Sequence, residues 1–345
     1  MNNCSDGLIN YNLMNYSRIA GVGHYVPENV VTNDDLSKLM PTSDEWITER
    51  TGIRERRYYT EGVDTVASMG AKACRMALDN AGIPVSEVEL IVFATTTSEY
   101  YFPGSGVLLQ RELGLPGIPA MDVKMQCSGF IYALSIADQF LKTGMYKTAL
   151  VVGSEIQSNA IELSERGRNM AVIFADGAGA VVMKAEKSSE HSILSTHLHS
   201  DGTYAEELYM KHPGSLQKVR LTPEMLYNGE MLPYMNGQVV FKHAVVKFTE
   251  VIQEALNANN LRKEDIDLLI PHQANLRISE YIRNSLGLPE EKVFNNIMRY
   301  GNTTTASVPL ALSEAFQAGK IKAGDIICLA AFGSGFTWAS AIIKW

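Results

Sequence analysis

Two hydrophobic periods alternate along this chain. Apolar residues recur at helical spacing from about Asp64 to Asn80, with Asp64 placed to cap the start and Gly82 and Pro84 placed to end it. The run EVELIVFA at 87–94 then predicts a strand. A second helix closes at Glu-Leu-Gly-Leu (112–115), MDVKM (121–125) reads as a strand, and SGFIYALSIADQFLKTG reads as a strongly apolar helix. TALVVGSE (148–155) follows as a buried strand. Strand and helix patterns in this order predict a layered α/β protein.

The second half repeats the plan. DIDLLIPHQ (265–273) follows the pattern of EVELIVFATTT, NSLGLPEEKV that of RELGLPGIPA, GNTTTASVPLALSEAFQAG that of CSGFIYALSIADQFLKTG, and GDIICLAAFGSG that of KTALVVGSE. The spacing from Leu115 to Cys127 is 12 residues and from Leu288 to Asn302 is 14, which makes Asn302 the expected counterpart of Cys127. Two duplicated α/β halves are therefore expected, about 17–190 and 191–345, after an N-terminal extension over 1–16. Corresponding helix starts would meet at one central site.

Composition narrows the classes. The 345 residues carry a net charge of -8, so nucleic acid is not the expected main partner. Cys4, Cys74, Cys127 and Cys328 are scattered, without a C-x-x-C pair, which points to free thiols in a reducing compartment, the cytoplasm. The N-terminus has neither the basic start nor the apolar run of a signal peptide. Ile326–Ile343 is uncharged over 18 residues, but Gly333-Ser334-Gly335 in its middle predicts strand, turn and strand rather than a membrane span. Asp176-Gly177-Ala178-Gly179 reads as a tightly packed turn, since no helix pattern follows it as a nucleotide loop requires. His197 and His199 alternate along a strand, and no cluster has zinc spacing.

Three positions carry candidate chemistry. Cys127 lies where a strand gives way to a helix. It is either a small buried hydrophobe or a nucleophile whose thiolate the helix N-terminus favours. Cys74 and Cys328 read as core filling, and Cys4 as tail. His272 follows Pro271 at a strand end, ahead of a helix beginning near Asn275; structural and catalytic roles both fit. Asn302 fits an N-cap as well as a site residue.

Taken in order, TSDEWITERTGIRERR (42–57), CSGF, DGAGA, HQANLRI, GNTTTASVP and AFGSGFTW (331–338) resemble the condensing enzymes of the thiolase superfamily, specifically the β-ketoacyl-[acyl-carrier-protein] synthase III family, over about 17–345. The resemblance implies a thiolase-like fold of five αβαβα layers and a homodimer. It implies that Cys127 accepts an acyl group from acyl-CoA, and that His272 and Asn302 hold the thioester carbonyl of malonyl-acyl carrier protein while it decarboxylates and condenses. The oxyanion hole would be the backbone N–H groups of Cys127 and Ser334. The family often has glycine at that second position, so the serine fits only where the turn needs no positive φ.

Further site residues follow from the same resemblance. Trp46 and Arg168, with Arg166 as a nearby alternative, would hold the CoA adenine, Asn275 would contact the pantetheine, and Arg50 and Arg277 would lie by the phosphates. Met235, Gly237 and Phe241 would line the acyl pocket, with Phe102 reaching across a two-fold axis into the partner. Lys242, Arg277 and Arg283 would dock the acidic carrier. No cofactor is implied, because CoA thioesters and carrier-bound phosphopantetheine are substrates. The alternative is a related condensing enzyme of secondary metabolism, of polyketide or alkylquinolone type, or one with a medium or long primer.

Overall fold

A computed structural model describes residues 15–345; Cys4 and nearly all of the expected extension lie outside the described residues. Two sheets organise the chain. The first runs Tyr16–Tyr25, Gly177–Glu186, Thr148–Glu155, Leu90–Ala94, Ala120–Val123 across its width. The second runs Ser192–Ser200, Thr337–Lys344, Ile326–Gly333, Leu268–Pro271. Position by position the pairing senses agree: antiparallel, antiparallel, then parallel. The fifth place, a parallel strand in the first sheet, shrinks in the second to one parallel bridge between Leu269 and Val293.

The alternation of side chains along each strand builds the layers. Leu90, Val92 and Ala94 face one way and join Leu268, Ile270, Ile327 and Leu329 of the other sheet around the helices Gly129–Lys142 and Ser307–Gln317. Ile91 and Phe93 face the other way, under Val66–Ala81 and Ser105–Leu113. Leu269, Cys328 and Ala330 do the same beneath Gly237–Ala258 and Leu276–Leu286. The result is helices, sheet, a central helix pair, sheet, helices: the thiolase-like five-layer arrangement.

Local differences from the sequence reading have simple causes. The Val66 helix is capped by Thr65, which exchanges hydrogen bonds with Ser68 in a capping box, while Asp64 binds Lys72 at 3.1 Å and the Tyr25 hydroxyl at 3.0 Å. The 87–94 run begins pairing only at Leu90, because Val85–Glu87 forms a 3-10 turn behind Pro84. Ile326–Gly333 and Thr337–Lys344 are an antiparallel hairpin, and no described helix is long and apolar enough to cross a membrane. Cys74 and Cys328 are fully buried in the two outer cores.

Candidate active site

The two central helices begin alike. Each follows one 3-10 turn, Gln126–Ser128 and Thr304–Ala306, and each turn opens on a non-glycine residue in the left-handed region, Gln126 at φ 44° and Thr304 at φ 51°. Their superposable order makes Thr305, not Asn302, the counterpart of Cys127. Asn302 instead stands two residues ahead of its turn. There its N–H donates to the Ile173 carbonyl at 2.9 Å, and its carbonyl accepts from the Ala175 N–H at 3.0 Å. This extra pairing lengthens the second approach and defeats a simple residue count.

Cys127 is buried, and the end of the Ile326–Gly333 strand lies directly on it. A Cβ added at Gly333 would sit 2.7 Å from the Cys127 Cβ and 2.9 Å from its nitrogen. The N–H groups of Cys127 and Ser334 both face the sulfur. Ser334 is not in the left-handed region; Gly335 takes that conformation, at φ 130°. A serine therefore fits the turn without loss of its backbone donor.

The expectation of a thiolate is corrected. Burial pushes the Cys127 thiol up to about 12, helped by Glu155, and the two N–H donors oppose this without prevailing. At rest the Cys127 side chain is therefore a neutral thiol. Glu155 itself is fully buried and faces only neutral donors, among them the Thr97 hydroxyl at 2.6 Å, the Thr96 N–H at 3.1 Å and the Thr305 hydroxyl at 2.9 Å.

His272 is buried, and burial lowers it to about 3, so its ring is neutral. Its Nδ1 lies 2.6 Å from the Ser307 Oγ, while the buried Nε2 has no partner among the described residues. Ser307 Oγ also accepts the Gln273 N–H at 3.4 Å, and in its buried setting Nδ1 is the one acceptor for its own hydrogen among the described residues. That assigns the proton of the neutral imidazole to Nε2, the nitrogen free to meet a ligand. The Asn302 Oδ1 accepts the Thr304 N–H at 2.9 Å, which turns the Nδ2 group the other way. Both side chains are thus set as neutral donors. Ser307→Ala is expected to release the ring tautomer and lower kcat about tenfold with little change in KM; steady-state kinetics with Ser307→Thr as the restoring control checks it.

At the surface, Trp46 lies between two guanidinium groups, Arg50 at 4.6 Å and Arg168 at 4.7 Å from the ring centroid. An adenine entering between Trp46 and Arg168 must displace the arginine. Arg166, the nearby alternative, is paired with Glu162 at 2.6 Å. Asn275 caps the Leu276–Leu286 helix through its Oδ1 and donates to the Arg50 carbonyl at 2.9 Å, so one amide hydrogen is left for a pantetheine contact. Arg277 and Lys242 are exposed. Arg283, the third docking candidate, is half-buried and paired with Glu280 at 2.7 Å.

Met235 and Gly237 flank the start of the Gly237–Ala258 helix, and Phe241 one turn on meets Tyr281 edge-on at 6.5 Å. Phe102 stands apart from them, 80% exposed, beside exposed Tyr100 and Tyr101. Asp176 holds its turn together, accepting from the N–H groups of Tyr59, Gln157 and Ser158. His197 and His199 both meet Glu254, and among the described residues no group of three candidate ligands could hold a metal ion. Thr305 and Ser307 lie inside GNTTTASVP, Glu155 ends TALVVGSE and Gly333 opens the Gly333-Ser334-Gly335 turn, but nothing in the spacing tells which neighbours they touch.

Comparison with known proteins agrees with this geometry. Residues 121–202 match the family described as 3-oxoacyl-[acyl-carrier-protein (ACP)] synthase III, and 256–345 match its C-terminal part. The β-ketoacyl-[acyl-carrier-protein] synthase III of Salmonella arizonae is 47% identical over 329 residues, 95% of this chain and 99% of the relative. That of Xanthomonas euvesicatoria is 47% identical over 330 residues, 96% and 98% of the two chains. The 3-oxoacyl-[acyl-carrier-protein] synthase III structure from Aquifex aeolicus superposes with a TM-score of 0.87 at 41% identity, covering 95% of this chain and all of that one. The priming β-ketosynthase of the R1128 polyketide pathway does so with 0.86 at 33% identity, covering 96% and 97%.

Proposed function

The chain belongs to the 3-oxoacyl-[acyl-carrier-protein] synthase III family of condensing acyltransferases, and from that premise we propose how its residues carry out the initiating condensation of fatty acid synthesis. The observation that carries the reading is the Cys127 sulfur under two backbone N–H groups. An acyl-CoA carbonyl enters with its oxygen on the Cys127 and Ser334 N–H groups. The sulfur adds to the carbonyl, the CoA thiolate leaves, and the proton lost by Cys127 ends on that CoA sulfur. No protein base has to keep it, which suits a thiol held at about 12 and a histidine already protonated at Nε2.

Malonyl-acyl carrier protein then places its thioester oxygen on His272 Nε2–H and the Asn302 amide. Carbon dioxide leaves, the electron pair of the broken bond becomes an enolate, and the two neutral donors stabilise its oxygen. The enolate carbon attacks the acyl-Cys127 carbonyl. The tetrahedral oxygen returns to the N–H pair, Cys127 departs as thiolate and regains a proton from solvent. The product is β-ketoacyl-acyl carrier protein. A protonated histidine at this place would repel nothing but would bind the malonyl carboxylate as an ion pair and oppose its loss, so the neutral ring is the useful form.

Around this centre we read Trp46, Arg50, Arg168, Asn275 and Arg277 as the CoA-binding mouth, Met235, Gly237 and Phe241 as the acyl pocket, and Lys242 with Arg277 as carrier-docking cations. Exposed Phe102 supports a homodimer in which it reaches the partner's pocket. Domain halves at 17–190 and 191–345 follow the two sheets, whose strands span 16–186 and 192–344. The substrates supply both the leaving groups and the carbanion, so no resident cofactor is needed. Cys74, Cys127 and Cys328, buried and free among the described residues, suit the cytoplasm. A polyketide-priming role is the second reading, supported by the likeness to the R1128 enzyme.

The test is a condensation assay with acyl-CoA and malonyl-acyl carrier protein, following carbon dioxide and β-ketoacyl product together. Equal release of both supports the reading. Hydrolysis of acyl-CoA without condensation contradicts it.

A further inference from the structure

The turn Gly333-Ser334-Gly335 uses its residues unequally. Gly333 has no room for a Cβ because Cys127 lies on it, and Gly335 needs a φ of 130°. Ser334 is under neither constraint, yet every polar group it carries is engaged. Its N–H faces the Cys127 sulfur. Its carbonyl accepts the Thr337 hydroxyl at 3.1 Å, and Thr337 in turn meets the Ser128 hydroxyl at 3.2 Å. The backbone of Ser334 is thus fixed to the segment that bears the nucleophile.

The side chain points elsewhere: its Oγ donates to the Leu208 carbonyl. Leu208 is half of a very short antiparallel pair, Leu208–Tyr209 with Tyr234–Met235, in which Leu208 is the partner of Met235. Just past it the Asn236 N–H donates to the Glu207 carbonyl at 2.8 Å, and Asn236 caps the Gly237–Ala258 helix. Two residues per strand make a weak ribbon on their own. The chain between them, 210–233, holds one five-residue helix, Pro223–Tyr227, and exposes Leu216, Val219, Leu226 and Tyr227. A bond at the base of this ribbon therefore counts for much of its position.

We propose that Ser334 is a positioning residue for primer length: its hydroxyl ties the Leu208–Met235 wall of the acyl pocket to the oxyanion turn and holds that wall close to Cys127. This rests on the reading of Met235 as pocket wall and of the Ser334 N–H as oxyanion donor. Loss of the hydroxyl leaves the backbone donor in place and frees the wall to recede. Longer primers then gain relative to short ones.

The experiment compares acetyl-, butyryl-, hexanoyl- and octanoyl-CoA with the full-length protein and its Ser334→Ala, Ser334→Gly and Ser334→Thr variants. The readout is kcat/KM for acylation of Cys127, followed by intact mass in single turnover. The ratio of octanoyl- to acetyl-CoA is expected to rise about fivefold in Ser334→Ala and Ser334→Gly, the scale of one hydrogen bond, and to return toward the unsubstituted value in Ser334→Thr. A Met235→Ala change is expected to shift the ratio less in the Ser334→Ala background than alone, the sign of coupling. An unchanged ratio overturns the proposal. A uniform fall for all four primers also overturns it, since the hydroxyl would then serve the oxyanion donor alone. Failure of the unsubstituted protein to acylate with any primer is a different result: it contradicts the proposed function itself.

Discussion

Protein carrying both His272→Ala and Asn302→Ala is expected to take an acyl group onto Cys127 and stop there. In the proposed mechanism these two side chains are the neutral donors to the malonyl thioester, and the acyl carbonyl uses a separate pair of backbone N–H groups. Removing one donor to a developing oxyanion typically costs about 10²–10³ in rate. The two act on one oxygen, so their losses overlap, and condensation is expected to fall about 10³-fold in the double variant and nearly as far in each single one. Carbon dioxide release from malonyl-acyl carrier protein, measured beside the acyl adduct by intact mass, separates the half-reactions. Loss of acylation and condensation together would mean that His272 acts on Cys127 directly.

The same histidine has a pH consequence. Its folded value, about 3, lies below its ordinary 6.5, so the unfolded chain binds a proton that the folded chain refuses. Stability is therefore lost progressively as pH falls from 6.5 toward 3. Denaturation of His272→Asn over this range is expected to show a shallower acid limb.

Gly333→Ala is expected to be a severely damaging single-atom change at the site. The new Cβ meets backbone and Cβ atoms of Cys127 at 2.7–2.9 Å, not the yielding end of a long side chain. Either the hairpin turn or the Gln126–Ser128 turn must move, and both carry the proposed oxyanion donors. Overpacking of this kind costs about 1–3 kcal/mol of stability, and denaturant midpoints should fall accordingly. Acylation of Cys127 should fall by about 10²-fold, the cost of misplacing one donor. Acylation at the unsubstituted rate would show that the turn does not build the hole.

Much of this architecture is legible in the sequence because burial on both faces writes strands as plain apolar runs. LIVFA, TALVVGSE and IICLAAFG are of that kind, and the repeat of their order anticipates the matched sheets. Motif order likewise brings out Cys127, His272 and Asn302. What stays hidden depends on contacts across the fold. Counting residues from Leu288 cannot show that Asn302 pairs with the Ile173–Ala175 segment before its turn begins. The helix N-terminus suggests a thiolate, but only the structure shows that burial and Glu155 outweigh it. Ser307 sits inside a recognised motif, yet its bond to His272 spans 35 residues. Arg283 is a different case: Glu280, three residues earlier on the same helix face, was visible as a partner.

Intact mass of the protein after mixing with acyl-CoAs from acetyl to decanoyl, beside Cys127→Ala, tests the central claim most directly. The expected result is a single acyl adduct with a preferred chain length, absent from the alanine variant, and released when malonyl-acyl carrier protein is added. An adduct that persists in Cys127→Ala, or no adduct with any acyl-CoA, would contradict a CoA-primed nucleophile at Cys127.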